Sequence, residues 1–292
     1  MEVLESTAAF PGESREILAR PVPLTRHRPA SDSDKLKGQI ILIPGWSGPR
    51  SGPADLLVFL ASRFANSGWE AIRIDLPGRG DAPGEFGASG LDEMISAAAA
   101  TLQAHAKGPA ARRFIVGLCS GGNVALGVPG VLDGALKQTG VVTLSTLPFQ
   151  PSRSKKFEDR KRWKKIKQYG AKLLSPNTWV RLVRGEINVD RVKKNMSAAG
   201  KPSGSSDRNL KDSKRDIEAD LRGWNGAGLF IWGGGDEEAA LAREYFETLH
   251  ANGMGSREGT EFHTVAGANH NYYGKAWREE LSDRILRFIE RD

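Results

Sequence analysis

Apolar residues follow two alternating rhythms along this chain. Lys37–Pro44 (Lys-Gly-Gln-Ile-Ile-Leu-Ile-Pro) holds an apolar, mostly β-branched run closed by proline, as in a strand buried on both faces. Pro53–Asn66 then places Leu56, Leu57, Leu60, Ala61 and Phe64 at the spacing of a helix with one buried side. The rhythm continues with a strand at Trp69–Asp75, an alanine-rich helix over Ser89–Ala106 with Ser89 as N-cap, and a strand at Arg113–Leu118. A helix opens at Gly121–Leu126 and another strand runs from Gly140 to Thr146. Further on come strands at Gly228–Trp232 and Thr260–Val265, and helices at Glu237–Ala251 and Tyr273–Glu290. Alternation of this kind predicts an α/β fold: a mostly parallel sheet covered by helices on both faces.

Between residues 148 and 222 the alternation stops. We therefore expect one core from 1–147 and 223–292, with 148–222 inserted at the functional edge of the sheet as a helical cap. Within it, Arg162–Leu174 reads as an amphipathic helix, with Trp163, Ile166 and Leu173 on one side and lysines on the other. Ser175-Pro176 supplies an N-cap and a first-turn proline for a second helix carrying Trp179, Leu182 and Val183. Ser197–Asp216, rich in Gly, Ser and charge, reads as a loop.

Charge singles out the same segment. The chain carries a net +7, but residues 151–215 hold 20 Lys and Arg against 6 Asp and Glu, leaving the remainder net acidic. A basic cap suits an anionic small-molecule or carrier-bound acyl substrate, or an anionic membrane surface met through 151–215. Trp163, Tyr169 and Trp179 lie among the lysines, but no nucleic-acid-binding fold accompanies them, and no nucleic acid is expected. No stretch approaches the 18 or so apolar residues of a membrane-spanning helix, and Met1–Arg28 lacks the apolar core of a secretory signal. The single cysteine has no internal disulfide partner. A cytoplasmic protein is expected, soluble or peripheral to the inner face of the membrane.

That cysteine sits in the most informative hexapeptide of the chain. Gly117-Leu-Cys-Ser-Gly-Gly122 follows the apolar run Phe114-Ile-Val116, so a strand ends in small-x-nucleophile-x-small and turns at once into a helix. A turn so tight tolerates almost no side chain two positions before or after the nucleophile. Gly117 and Gly121 meet that demand for Cys119, whereas a nucleophilic Ser120 would put Leu118 in the crowded place. A thiol nucleophile needs a base and a group to orient the base. Asp236 ends Gly233-Gly-Gly-Asp after one strand, and His270 ends Val265-Ala-Gly-Ala-Asn-His after the last. Both fall at C-terminal strand ends, where such sheets place their sites. His263 lies inside a strand and His105 and His250 on helices, while Glu237 and Glu238 stand beside Asp236 as alternative acids. The oxyanion donors expected are the backbone N–H groups of Ser120 and of Trp46, in Pro44-Gly-Trp-Ser-Gly48. Arg50, in the same loop, is a candidate for an anionic substrate group; Asp75 and Asp81 are read as turn residues.

With Cys119, Asp236 and His270 in this order, the chain resembles the α/β-hydrolases over nearly its whole length. Its cysteine elbow is similar to that of dienelactone hydrolases. A closer likeness is to the exosortase A system-associated hydrolases, carried by Gly45-Trp-Ser-Gly-Pro-Arg-Ser-Gly-Pro53, Arg73-Ile-Asp-Leu-Pro-Gly-Arg-Gly-Asp81 and Gly117–Gly122, and by Trp179-Val-Arg-Leu-Val-Arg-Gly185 in the cap. The resemblance implies a Cys-His-Asp hydrolase without cofactor or metal, acting on an ester, lactone or thioester through an acyl-thioenzyme. Transfer of the acyl group to an acceptor other than water is the alternative within that chemistry. An inactive hydrolase-fold scaffold at a membrane surface is the alternative outside it.

Overall fold

The computed structural model describes residues 3–5, 13–18, 22–29, 36–45, 47–105, 112–149, 213–256 and 258–291. The chain divides into two compact units, 1–150 with 208–292, and 151–207. The second lies outside the described residues, and with it the helices expected over 162–174 and from 176 onward.

In the first unit the described strands are β1 (Val3–Glu5), β2 (Glu13–Leu18), β3 (Leu24–Pro29), β4 (Gly38–Ile43), β5 (Glu70–Ile74), β6 (Arg112–Leu118), β7 (Gly140–Leu144), β8 (Gly228–Gly233) and β9 (Thr260–Val265). They form one sheet in the order β1-β2-β3-β5-β4-β6-β7-β8-β9. From β5 to β9 every pairing is parallel, whereas β1, β2 and β3 join antiparallel at the other edge. The helices are α1 (Leu56–Asn66), α2 (Leu91–His105), α3 (Ser120–Gly127), α4 (Ile217–Arg222), α5 (Ala239–Ala251) and α6 (Lys275–Ile289).

Period-two alternation sends side chains of each central strand to opposite layers. Ile41, Ile43, Ile115, Val141, Phe230 and Trp232 face α2, α3, α4 and α5. Ile40, Leu42, Val116, Val142, Leu229 and Ile231 face α1 and α6. Burial on both sides is why these strands read as continuous apolar runs.

Two local expectations change. Helix α2 starts at Leu91, not at a Ser89 cap; the Glu93 carboxylate accepts from Gly90 N–H at 2.9 Å and closes the first turn. The N-terminal strands were not anticipated at all. β3 is Leu-Thr-Arg-His-Arg-Pro, and its Arg26 and His27 are buried because partners distant in sequence satisfy them. Arg26 donates to His105 Nδ1 at 2.7 Å and lies 3.6 Å from Glu70, while Arg73 donates to His27 Nε2 at 2.8 Å.

Strand order places the chemistry. From β4 the chain crosses to β5 on one side and then returns to β6 on the other. The loops after β4 and β6 therefore part at this switch point, the customary place for a ligand crevice in open α/β sheets.

Candidate active site

Cys119 occupies the bend between β6 and α3 with φ +54° and ψ −119°, a conformation that costs a non-glycine residue about 1–3 kcal/mol. Its neighbours explain how the bend closes. A Cβ on Gly117 would run into Gly121 O, and one on Gly121 would run into Pro44 O and approach Ile43 O at 2.7 Å. The β4 loop thus passes directly beside the elbow, and a Cβ on Gly45 would stand 3.3 Å from Cys119 Cβ. Cys119 N–H donates to Leu144 O at 2.7 Å, tying the elbow to β7. Cys119 as a residue is only partly buried.

Ser120 begins α3, so its N–H belongs to the helix's first turn, whose amides lack intrahelical acceptors. Gly122 N–H, two positions on, already bonds Cys119 O at 3.1 Å. Trp46, the other expected oxyanion donor, lies outside the described residues.

Asp236 and His270 meet because two loops lock together. Gly234 N–H donates to Val265 O and Gly235 N–H to Ala268 O, both at 2.8 Å. Gly233 packs so tightly that a Cβ there would run into Ala268 O, which is why the acid follows a run of three glycines. Asp236 Oδ2 then lies 2.6 Å from His270 Nδ1, while its Oδ1 accepts from Glu238 N–H at 3.1 Å. Of the neighbouring acids, Glu238 enters through its backbone, and the carboxylate facing the imidazole is that of Asp236.

The carboxylate is nearly buried, at 9% side-chain exposure, and the imidazole one-third exposed. The Asp236 hydrogen bond, followed by a hydrogen bond with Cys119 and the charges of both groups, raises the His270 pKa to about 10 against the opposing effect of burial. The imidazole thus pairs with Asp236, and Cys119 lies near enough to add to the shift in its pKa.

A sequence model of the alpha/beta hydrolase family matches residues 40–284. The chain belongs to that family. No curated protein matches the sequence. Among solved structures it is similar to a putative hydrolase from Agrobacterium vitis, at 15% identity and TM-score 0.56, covering 98% of this chain and 97% of that one. Est1E from Butyrivibrio proteoclasticus, solved with ferulic acid bound, superposes at TM-score 0.57 and 14% identity, over 95% and 97% of the two chains. A dienelactone hydrolase from Anabaena variabilis gives TM-score 0.56 at 10% identity, again over 95% and 97%. At these identities the likeness is one of fold.

Other polar residues of this hydrolase-family chain have structural partners. Arg50, expected near substrate, donates to Asp75 and Asp81 and, at 3.0 Å, to Thr25 Oγ1. Its backbone N–H also bonds Asp75 Oδ1 at 2.6 Å. Asp75 is fully buried, and a carboxylate taken out of water needs such a cation. Arg50 thus fastens the β4 loop to the end of β5, and Asp81 N–H joins the same carboxylate at 3.1 Å. The remaining histidines also lie elsewhere: His263 faces Glu280 on the surface, His250 bonds Met254 O, and His27 and His105 are in the buried network around β3.

A recess of about 530 Å³ opens at the other end of the sheet, lined by Arg113, Gly140, Ala227 and Gly259 among others, and none of the three site residues borders it. Among the described residues no three His, Cys, Asp or Glu converge as a metal-binding set, and no helix is long and apolar enough to cross a membrane. Sequence reasoning missed Tyr272 and Ser145, two buried non-glycine residues at φ +51° and +50°. Positive φ at an aromatic residue leaves no trace in local composition.

Proposed function

We propose that the protein is a hydrolase that cleaves an activated ester, lactone or thioester through a thioester on Cys119. The observation carrying this reading is the imidazole of His270, paired with Asp236 at 2.6 Å and with its pKa raised in part by Cys119, which sits at a strained elbow. In this reading His270 carries the proton at the start, and the Cys119 sulfur attacks the substrate carbonyl. The carbonyl π electrons move onto oxygen, which faces the N–H of Ser120 and a second donor from the β4 loop, for which Trp46 is our candidate. Collapse expels the alcohol or thiol, protonated by His270. Water, deprotonated by His270, then attacks the thioester, releasing the acid and the Cys119 sulfur. Asp236 holds the imidazole in the required orientation throughout.

A thiolate leaves as readily as it attacks, so an amide adduct would return to reactants; esters, lactones and thioesters have leaving groups that compete. The basic segment 151–215 favours an anionic acyl donor, such as a thioester of coenzyme A or of a carrier protein, over a neutral one. The likeness to exosortase A system-associated hydrolases belongs to this proposal, as does a cap role for the inserted segment, which we narrow from 148–222 to 151–207 because Phe149, Ile217 and Leu221 pack in the sheet core.

The test compares Cys119→Ala with Ser120→Ala on an aryl ester, with intact-mass spectrometry after exposure to acyl thioesters and lactones. The expected result is loss of turnover by about 10³-fold or more in Cys119→Ala, near-normal turnover in Ser120→Ala, and an acyl mass gain on Cys119. Full turnover in Cys119→Ala with loss in Ser120→Ala would overturn the reading.

A further inference from the structure

Beneath the three site residues lies a hydroxyl pair that the mechanism above does not use. Tyr272, two positions after His270, is fully buried with its backbone in the left-handed region at φ +51°. Ser145, just past the end of β7, is equally buried and also left-handed, at φ +50°. Ser145 Oγ donates to the Tyr272 hydroxyl at 3.1 Å, and that hydroxyl donates onward to Ile231 O at 3.2 Å. Ile231 O also accepts from Ser145 N–H at 2.7 Å, so one carbonyl of β8 gathers both residues.

Each end of this brace leads to a reacting group. Leu144, next to Ser145, supplies the carbonyl that holds Cys119 N–H. On the other side, Tyr272 N–H bonds Asn269 O at 3.2 Å, closing the turn that contains His270, and Arg278 Nε holds Tyr272 O at 3.0 Å. Burial raises the phenol pKa, with the charge of Asp236 adding to the effect, and the hydroxyl stays protonated and able to donate. Two unfavourable backbone conformations, bonded to each other and covered by core, are kept only where the surroundings over-determine them.

We infer that Tyr272 is a positioning residue whose hydroxyl, braced by Ser145 and Ile231 O, sets the reach of His270 toward Cys119. This rests on the proposed Cys119 chemistry. Removing the hydroxyl leaves the ring in the core and frees the His270 turn to shift against the elbow. A displacement of an ångström at reacting groups costs on the order of 100-fold in rate.

The experiment uses the one cysteine of the full chain as its own reporter. Rates of Cys119 alkylation by iodoacetamide are measured against pH in wild type, His270→Ala, Tyr272→Phe and Ser145→Ala, with kcat and KM on an aryl ester and thermal melts for each. Wild type and His270→Ala should give separate profiles, because the imidazole acts on the sulfur. Tyr272→Phe is expected to move toward His270→Ala, with kcat lower by about 10–100-fold, KM nearly unchanged and a cooperative melt retained. Ser145→Ala should move the same way, and the double variant should be no worse than the poorer single one, as for members of one unit. An unmoved profile in both single variants, or a kcat loss matched by loss of folded protein alone, overturns the brace. Coincident wild-type and His270→Ala profiles would instead remove the Cys119 reading, and the brace with it.

Discussion

His270 Nδ1 lies 2.6 Å from Asp236 Oδ2, 34 positions earlier in the chain, between loops that only glycine allows so close. The second carboxylate oxygen is anchored by Glu238 N–H, so the acid is held from behind as well as in front. The proton on the imidazole is correspondingly hard to remove, with a pKa near 10 against an ordinary 6.5.

That displacement fixes the sign of a pH effect on stability. The folded value lies above the unfolded one, so the contribution of the imidazolium is complete below about pH 6.5 and is lost as pH rises through about 10. Asp236→Asn keeps an acceptor but removes the charge. Its melting temperature should fall further below wild type at about pH 6 than at about pH 10. Equal gaps at both would show that the carboxylate does not hold the charged ring. Activity of the same variant should drop by roughly 10²–10⁴-fold.

The elbow makes a steric prediction. Gly121→Ala forces a methyl group into Pro44 O, and the strand–turn–helix unit must open to admit it. Urea denaturation should show a loss of roughly 1–3 kcal/mol, accompanied by loss of esterase activity. Ser120→Ala, one position away, should stay within about 0.5 kcal/mol of wild type.

The ion pairs around β3 differ sharply in worth from those on the surface. Glu70 is fully buried, 2.7 Å from Arg28 Nε and also bonded by Gln39. Glu70→Ala removes the buried carboxylate shared by Arg26, Arg28 and Gln39 and should cost about 3–5 kcal/mol in chemical denaturation. Asp283→Ala breaks the half-exposed pair with Arg63 and should cost no more than about 1 kcal/mol.

His105 titrates in the opposite sense to His270. Burial first, then the charges of Arg26 and Arg28, lower its pKa, outweighing Glu70. Unfolding lets it take up a proton below about pH 6.5, so its share of stability is present above that pH and lost as pH falls. His105→Gln retains an acceptor for Arg26 without the titration. Its melting temperature should therefore decline less than that of wild type between about pH 6.5 and 5. A parallel decline would exclude His105 as the source.

The parallel core was legible because its strands are buried on both faces. Gly38–Ile43, Gly140–Leu144 and Gly228–Gly233 carry the apolar runs that such burial requires. The antiparallel edge was not legible. Glu13–Leu18 and Leu24–Pro29 are strands through pairing with each other and with β5, and Arg26, His27 and Arg28 find partners 40 or more positions away. Arg50 shows the same limit. Its pairing with Asp75 and Asp81 is made between segments and leaves no mark in the local sequence.

By itself the chain determined which residue could sit at the bend, since the clearance demanded on either side of Cys119 is a local property that glycine alone satisfies. It also determined the order in which an acid and a histidine follow at strand ends. Only the assembled sheet decided that Asp236 rather than its glutamate neighbours faces the imidazole, that Arg50 is occupied within the fold, and that Tyr272 and Ser145 meet under the site. Those outcomes depend on distances between segments brought together by packing, and no pattern within a single segment records them.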